Sequence, residues 1–265
     1  MNTTVVTSCS AAGWTQYGRR FVETFGKYWP FDIALHVYSE DLPAQQFIND
    51  CLGRAVVFHK LRHPFFERHA NNPLAHGHAR RPGQLWPAKA VSEGQNWRYD
   101  AYRFAHKVFA ICAAARDQAA GRLFWVDADV VTFDTLPSAL LDRMLPDGVA
   151  ISYLDRGTYP SECGFVGYNL DHPAARSFIE EFAELYASDR VFVLPQWHDS
   201  YVFDWLRVRA QMPAHRIPYP EGQRRHPFVN SELGRYMDHL KGPRKAMGRT
   251  PTTDLGTHRD VAYWS

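Results

Sequence analysis

The run Leu123-Phe124-Trp125-Val126 is the strongest constraint on how this chain folds. Four consecutive large apolar residues suit a strand covered on both faces, the environment of a central strand in a parallel sheet. Around it, short apolar runs alternate with helical patterns. Val5-Val6 starts a strand ending near Thr7-Ser8, and Phe21, Val22, Phe25 and Tyr28 give helical spacing between Trp14 and Trp29. Ile33–Tyr38 reads as the next strand, 43–52 as a short helix with Pro43 at its first position, and Ala55–Phe58 as a third strand. A long helix is predicted over about 99–119, a strand over 149–153, and further helices over 173–187 and 199–208. Strands alternating with helices imply an α/β layer structure with a largely parallel sheet, whose ligands sit beyond the carboxyl ends of the strands. No internal repeat is visible, and one domain with a less regular C-terminal third is expected. Residues 62–97, with several Pro, Gly, Asn and His residues and little periodicity, read as a long loop.

The predicted central strand runs directly into Asp127-Ala128-Asp129. Alternation along an extended chain sends Asp127 and Asp129 to one side, with the small Ala128 between them. Two carboxylates held together repel unless a proton, a basic side chain or a cation compensates. The simplest compensation is a hard divalent ion, Mg²⁺ or Mn²⁺, which also binds a diphosphate and neutralises charge on a departing one. The competing reading is a pair of loop residues capping a turn.

Far downstream, His239-Leu240-Lys241-Gly242-Pro243-Arg244-Lys245 has the form HxxGxxK. Imidazole is a good third metal ligand, a glycine lets phosphate approach the backbone, and a lysine supplies mobile positive charge. Taken alone, this segment reads as a solvated basic tail. DxD after a buried strand followed by HxxGxxK resembles the family 8 glycosyltransferases and their relatives with the GT-A fold, a Rossmann-like α/β sandwich for nucleotide-diphospho-sugars. The resemblance implies that Asp127, Asp129 and His239 ligate Mn²⁺ or Mg²⁺, and that Gly242 and Lys245 hold the diphosphate of a UDP-hexose. It favours a retaining transfer. It also implies a nucleotide-binding half over 1–135 and an acceptor and sugar half over 136–265. Ala246-Met247-Gly248 replaces the tryptophan context usual after the lysine, which leaves the subfamily open.

Other site residues follow from the same resemblance. Ser161–Asn169 is similar to the glycine-bearing strand on the acceptor side, with Asn169 as a partner for sugar hydroxyls and Glu162 as a candidate base if transfer inverts. Gln196–Ser200 is similar to the acidic segment at the donor sugar, with Trp197 as a stacking face and Asp199 as a carboxylate near the reacting centre. Asp199 also suits a helix N-cap. Thr7, Ser8 and Ser10 end the first strand, where nucleotide contacts are expected. Tyr102, Arg103 and Lys107 precede the metal strand, and Arg103 and Lys107 share a helix face, a pattern more common on solvated surfaces.

Several function classes are disfavoured. The net charge of +2 argues against a generic polyanion binder. Charge is nevertheless uneven: 54–107 and 207–249 each hold ten Lys/Arg against three Asp/Glu, so an anionic acceptor, an acidic glycan or DNA, stays in view beside a neutral glycan, lipid or protein. Cys9, Cys51, Cys112 and Cys163 are scattered without a CxxC pair, as expected of reduced thiols in a cytoplasmic protein, and no apolar run reaches the length of a bilayer span. His63, His69, His76 and His78 lie in the 62–97 segment at loose spacing, which favours a polar loop over a zinc site. A nucleotidyltransferase or a sugar-nucleotide phosphohydrolase is the second enzymatic reading, though Ser8–Gly13 is a poor glycine-rich phosphate loop for the former. A non-catalytic sugar-nucleotide or carbohydrate-binding protein is the third.

Overall fold

In the computed structural model, residues 2–41, 56–219, 226–256, 259 and 261–265 are described. Seven strands form the main sheet: β1 (Thr3–Cys9), β2 (Ala34–Ser39), β3 (Val56–Lys60), β4 (Arg122–Val126), β6 (Ile151–Arg156), β7 (Tyr159–Asn169) and β8 (Ala214–Arg216). Their spatial order is β3-β2-β1-β4-β7-β6-β8. All pair in parallel except β7, which runs antiparallel to both β4 and β6. A second, two-stranded sheet joins β5 (Val130–Thr132) to β9 (Met237–His239). This is an α/β fold with a mostly parallel central sheet.

Strand β4 is buried along its whole length, as its composition requires. Leu123 and Trp125 face one core with Val6, Val166 and Tyr168, while Phe124 and Val126 face the other with Val5 and Phe165. The period-2 alternation thus feeds two hydrophobic layers at once. The first layer is closed by α5 (Ala101–Asp117), α7 (Pro173–Ala187) and α8 (Asp199–Ala210). Helix α5 starts where Asp100 accepts a hydrogen bond from the Arg103 amide at 3.1 Å, and its run of alanines allows close seating on the sheet. The second layer is covered by α2 (Arg19–Tyr28), α6 (Ser138–Met144) and α9 (Pro227–Asn230).

Two local expectations are corrected. The helix predicted from Trp14 begins earlier and is not uniform: α1 (Ala11–Gly13), capped by Ser10, passes into a π-helical turn at Trp14–Gly18 before α2. Residues 62–97 are not a structureless loop. They contain α3 (Pro64–His69) and α4 (Ala88–Ser92), followed by a 3₁₀ turn at Trp97–Tyr99. Long-range contacts hold this segment: Phe65 packs on Phe109 and Tyr186, His69 Nε2 lies 2.8 Å from Asp189 Oδ1, and Arg81 donates to the Leu194 carbonyl at 3.1 Å. No periodicity announces such contacts. The helix expected over 43–52, Cys51 and the start of the third strand at Ala55 lie outside the described residues.

Helix α10 (Arg244–Met247) completes the described helices. None of them is long and apolar enough to cross a membrane.

Candidate metal and donor site

The site begins where β4 ends. The Asp127 amide still donates to the Gly164 carbonyl at 3.0 Å, continuing the β4–β7 ladder. The chain then turns: the Val130 amide donates to the Asp127 carbonyl at 3.0 Å, and β5 leaves in a new direction. The two carboxylates therefore converge through a tight turn, not through the extended alternation expected from sequence. His239 arrives from β9, whose register places it opposite Val130, and the Leu240 amide locks the pair by donating to the Asp129 carbonyl at 3.0 Å.

His239 Nε2 lies 3.1 Å from Asp129 Oδ1 and 3.4 Å from Asp127 Oδ2. One ligand atom from each of the three residues falls within 4.8 Å of the others, the only such group among the described residues. The imidazole is 1% exposed. Burial alone would lower its pKa, but Asp129 and Asp127 outweigh it and raise it to about 10. Both carboxyls are held below the usual carboxylate range, their desolvation overcome by Lys107 and His239 at Asp127 and by His239 and Lys245 at Asp129. Two ionised oxygens and one imidazole nitrogen suit a hard divalent cation. The other ring nitrogen faces Glu162 Oε1 at 3.6 Å and is buried without a hydrogen-bond partner. An outer carboxylate behind a ligating histidine is the usual means of setting its tautomer. The residues present fit such an ion.

Strand β9 is fixed from behind. Asp238 accepts from the Thr250 amide at 2.7 Å, the Thr250 hydroxyl at 2.6 Å and the Tyr263 hydroxyl at 2.9 Å. The His239 carbonyl lies 3.1 Å from His226 Nε2. Gly164 supplies the space in front: a Cβ there would lie 2.5 Å from His239 Cε1.

Cations surround the triad. Lys245 Nζ lies 3.0 Å from Asp129 Oδ2 and 4.2 Å from the centre of the Tyr17 ring. Gly242 has φ +62 with open space around the position of a Cβ, so it is required by its turn and not by packing. Lys107 is buried in α5, with Nζ 3.1 Å from Asp127 Oδ1, 2.7 Å from Asp199 Oδ2 and 2.5 Å from the Cys163 carbonyl. It ties Asp199, the first residue of α8, to the DxD turn. Helix α8 is capped by His198, not by Asp199. Glu162 is paired with Lys241 at 3.0 Å; burial would raise its pKa, but Lys241 and His239 hold it down to about 2.

The remaining expected residues divide. Thr7 is buried with its hydroxyl unpartnered, and Ser8 donates to Glu40 Oε1 at 3.0 Å, both at the carboxyl end of β1. Arg103 is exposed on the first turn of α5, and its charge acts on Tyr17 and Glu40 at this same edge. Trp197 has no stacking face to offer: it is 0% exposed, its indole donates to the Leu194 carbonyl at 3.0 Å, and Tyr99 and Phe192 pack edge-on against it. Asn169 pairs with Arg122, at the amino end of β4, because β7 runs antiparallel; its amide donates to the Val149 carbonyl at 3.1 Å. It stands at the opposite end of the sheet from the triad. The histidines of 62–97 serve separate tasks, His63 capping α3 and His78 bonding the Gly94 carbonyl. Lys107 and Gly164 are the residues that sequence reasoning undervalued. A lone lysine amid Ala105, Val108, Ile111 and Cys112 was the available signal.

No family model matches the sequence, and no curated protein does. Solved structures do match. LgtC, in an active-site mutant, is 14% identical with a TM-score of 0.52, over 98% of this chain and 91% of that one. A glycosyltransferase involved in glycosylation of the major capsid of PBCV-1 is 13% identical with a TM-score of 0.50, over 93% and 100%. The glycosyltransferase GlyE of Streptococcus pneumoniae TIGR4 is 10% identical with a TM-score of 0.50, over 84% of this chain. The chain spans about half of GlyE, 46% of its length. At these identities the likeness is one of fold: the α/β architecture is that of GT-A glycosyltransferases.

Proposed function

We propose that the protein is a metal-dependent glycosyltransferase that moves a hexose from a UDP-sugar to an acceptor. The observation that carries this reading is the convergence of Asp127, Asp129 and His239 beside Lys245, at the carboxyl end of the central strand. A Mn²⁺ or Mg²⁺ ion held by the triad supplies charge neutralisation for a diphosphate. Lys245 moves from Asp129 to that diphosphate, a short swing for a flexible ammonium group. Gly242 keeps the approach open. Thr7, Ser8 and Arg103 line the nucleotide side at the ends of β1 and α5. Asp199 and Glu162 bracket the sugar side.

Retention of configuration is favoured. Inversion calls for a carboxylate base free to take a proton from the acceptor, and Glu162 is buried and paired with Lys241 at 3.0 Å. Asp199 is committed to Lys107. A nucleotidyltransferase is disfavoured because β1 leads into α1 and a π-helical turn, with no glycine-rich phosphate loop.

The test is calorimetric titration of UDP with and without Mn²⁺, then mass spectrometry of products from UDP-glucose and UDP-galactose. Metal-dependent UDP binding that is lost in Asp129→Asn is expected. Undiminished turnover by that variant, or donor binding indifferent to metal, overturns the assignment.

A further inference from the structure

One aromatic surface at the sugar side is unexplained by donor chemistry. Trp97 is 52% exposed, between the buried Asn96 and Asp100. The segment is anchored to the site by its backbone: the Trp197 amide donates to the Arg98 carbonyl at 2.9 Å. The Trp97 ring leans on the His198 imidazole, centroids 4.9 Å apart, and Phe104 braces His198 at 5.9 Å. His198 immediately precedes Asp199, which reaches the DxD turn through Lys107. An exposed indole is thus held by contacts that lead directly to the reacting end of the sheet.

A cation accompanies it. The Arg98 guanidinium is exposed, lies 5.6 Å over the Trp97 ring, and has no acidic partner among the described residues. The lysines of the site are committed, Lys107 to Asp127 and Asp199, Lys241 to Glu162 and Lys245 to Asp129, while the exposed Arg103 lies on the nucleotide side beside Tyr17 and Glu40. Arg98 is close enough to act on His198, whose ring stays neutral, pushed down to about 4 by burial and by Lys241 and Arg98 against the pull of Asp199. The platform under Trp97 therefore adds no charge of its own near neutral pH.

We propose that Trp97 and Arg98 form an acceptor subsite for a pyranose bearing a carboxylate, the sugar ring lying on the indole and its acid taking the guanidinium. The proposal rests on the glycosyl-transfer reading, since it assigns the other substrate of the same site. Indole presents a broad apolar face that suits the C–H face of a sugar, and guanidinium matches a carboxylate in a two-point fork. A nucleic-acid strand is less well served, because it needs a track of successive stacking rings and phosphate contacts. Here one exposed ring stands beside one cation that has no acidic partner among the described residues.

The experiment titrates the protein with two acidic and neutral pairs, cellobiouronic acid against cellobiose and sialyllactose against lactose, by ligand-observed NMR. At least one acid should bind about tenfold tighter than its neutral counterpart, the size of one charge-assisted contact. Arg98→Gln should remove that preference and Arg98→Lys restore part of it. Trp97→Ala should weaken acid and neutral sugar alike by about tenfold, with Trp97→Phe intermediate. Equal binding of acid and neutral in both pairs, an acid preference that survives Arg98→Gln, or tighter binding of an oligothymidylate with the same dependence on both residues overturns the proposal. Mn²⁺-dependent UDP binding by the wild-type protein is measured alongside. Its absence would remove the transferase reading, whereas the subsite stands or falls on the sugar titrations.

Discussion

Gly164 and His239 are packed so closely that a single methyl group would separate them: a Cβ on Gly164 would lie 2.5 Å from Cε1 and 2.7 Å from Nδ1 of the imidazole. The imidazole is walled in by Phe228 and His226 and has little room to retreat. Gly164→Ala should therefore displace the ring from the two aspartates. We expect Mn²⁺ affinity to fall by about tenfold or more, with a stability cost of about 1–3 kcal/mol from overpacking. Calorimetric Mn²⁺ titration and thermal melting of the variant check this, and wild-type affinity in a folded variant would refute it.

Metal binding should release a proton. The His239 ring without metal is a cation between two carboxylates, with its pKa raised from 6.5 to about 10, and a ligating imidazole must be neutral. The ion pair stabilises the metal-free protein fully below the unfolded pKa of about 6.5 and is lost as pH rises through about 10. Metal competes with that proton, so apparent affinity should rise about tenfold per pH unit across the neutral range. Calorimetry in two buffers of different ionisation enthalpy should count about one proton released.

Lys107 bears on stability more than on donor binding. It is a buried ammonium shared by Asp127, Asp199 and the Cys163 carbonyl. Lys107→Met leaves the buried Asp199 and the partly exposed Asp127 without the cation they share, a change that costs about 3–5 kcal/mol. Adding Asp199→Asn should recover part of the loss, because one of the stranded charges is removed. Chemical denaturation of the single and double variants measures the recovery; strict additivity would contradict the arrangement.

Asn169 supplies the contrasting case. Its side chain bonds the Val149 carbonyl and the Asp171 amide at the far end of β7. Asn169→Ala should cost about 1–2 kcal/mol of stability through those two lost bonds. UDP affinity in the presence of Mn²⁺ should be unchanged. A selective loss of donor affinity would place Asn169 at the site after all.

The features that stood out in sequence share one property: their meaning is carried by neighbours along the chain. An apolar run ending in Asp-Ala-Asp announces a buried strand and an acidic pair at its carboxyl end, because hydrophobic length and the position of charge are local facts. The α/β class followed from that, and 127 and 129 stood out on the same ground, while 239 stood out only through the separate HxxGxxK spacing. Which side a residue faces across the sheet is not local. Asn169 and Trp197 were misplaced because the antiparallel sense of β7 and the burial of the 197 indole depend on partners distant in sequence. Lys107 resembled a surface lysine until α5 was laid against β4, and Gly164 was one glycine among several until β9 brought His239 across it. The segment before α5 lacked periodicity because it is held by side-chain contacts to α5, α7 and the chain beyond. Composition and order along the chain decided the layers and the acidic pair; only tertiary packing, which sets the direction of each side chain, decided the turn and which charges meet.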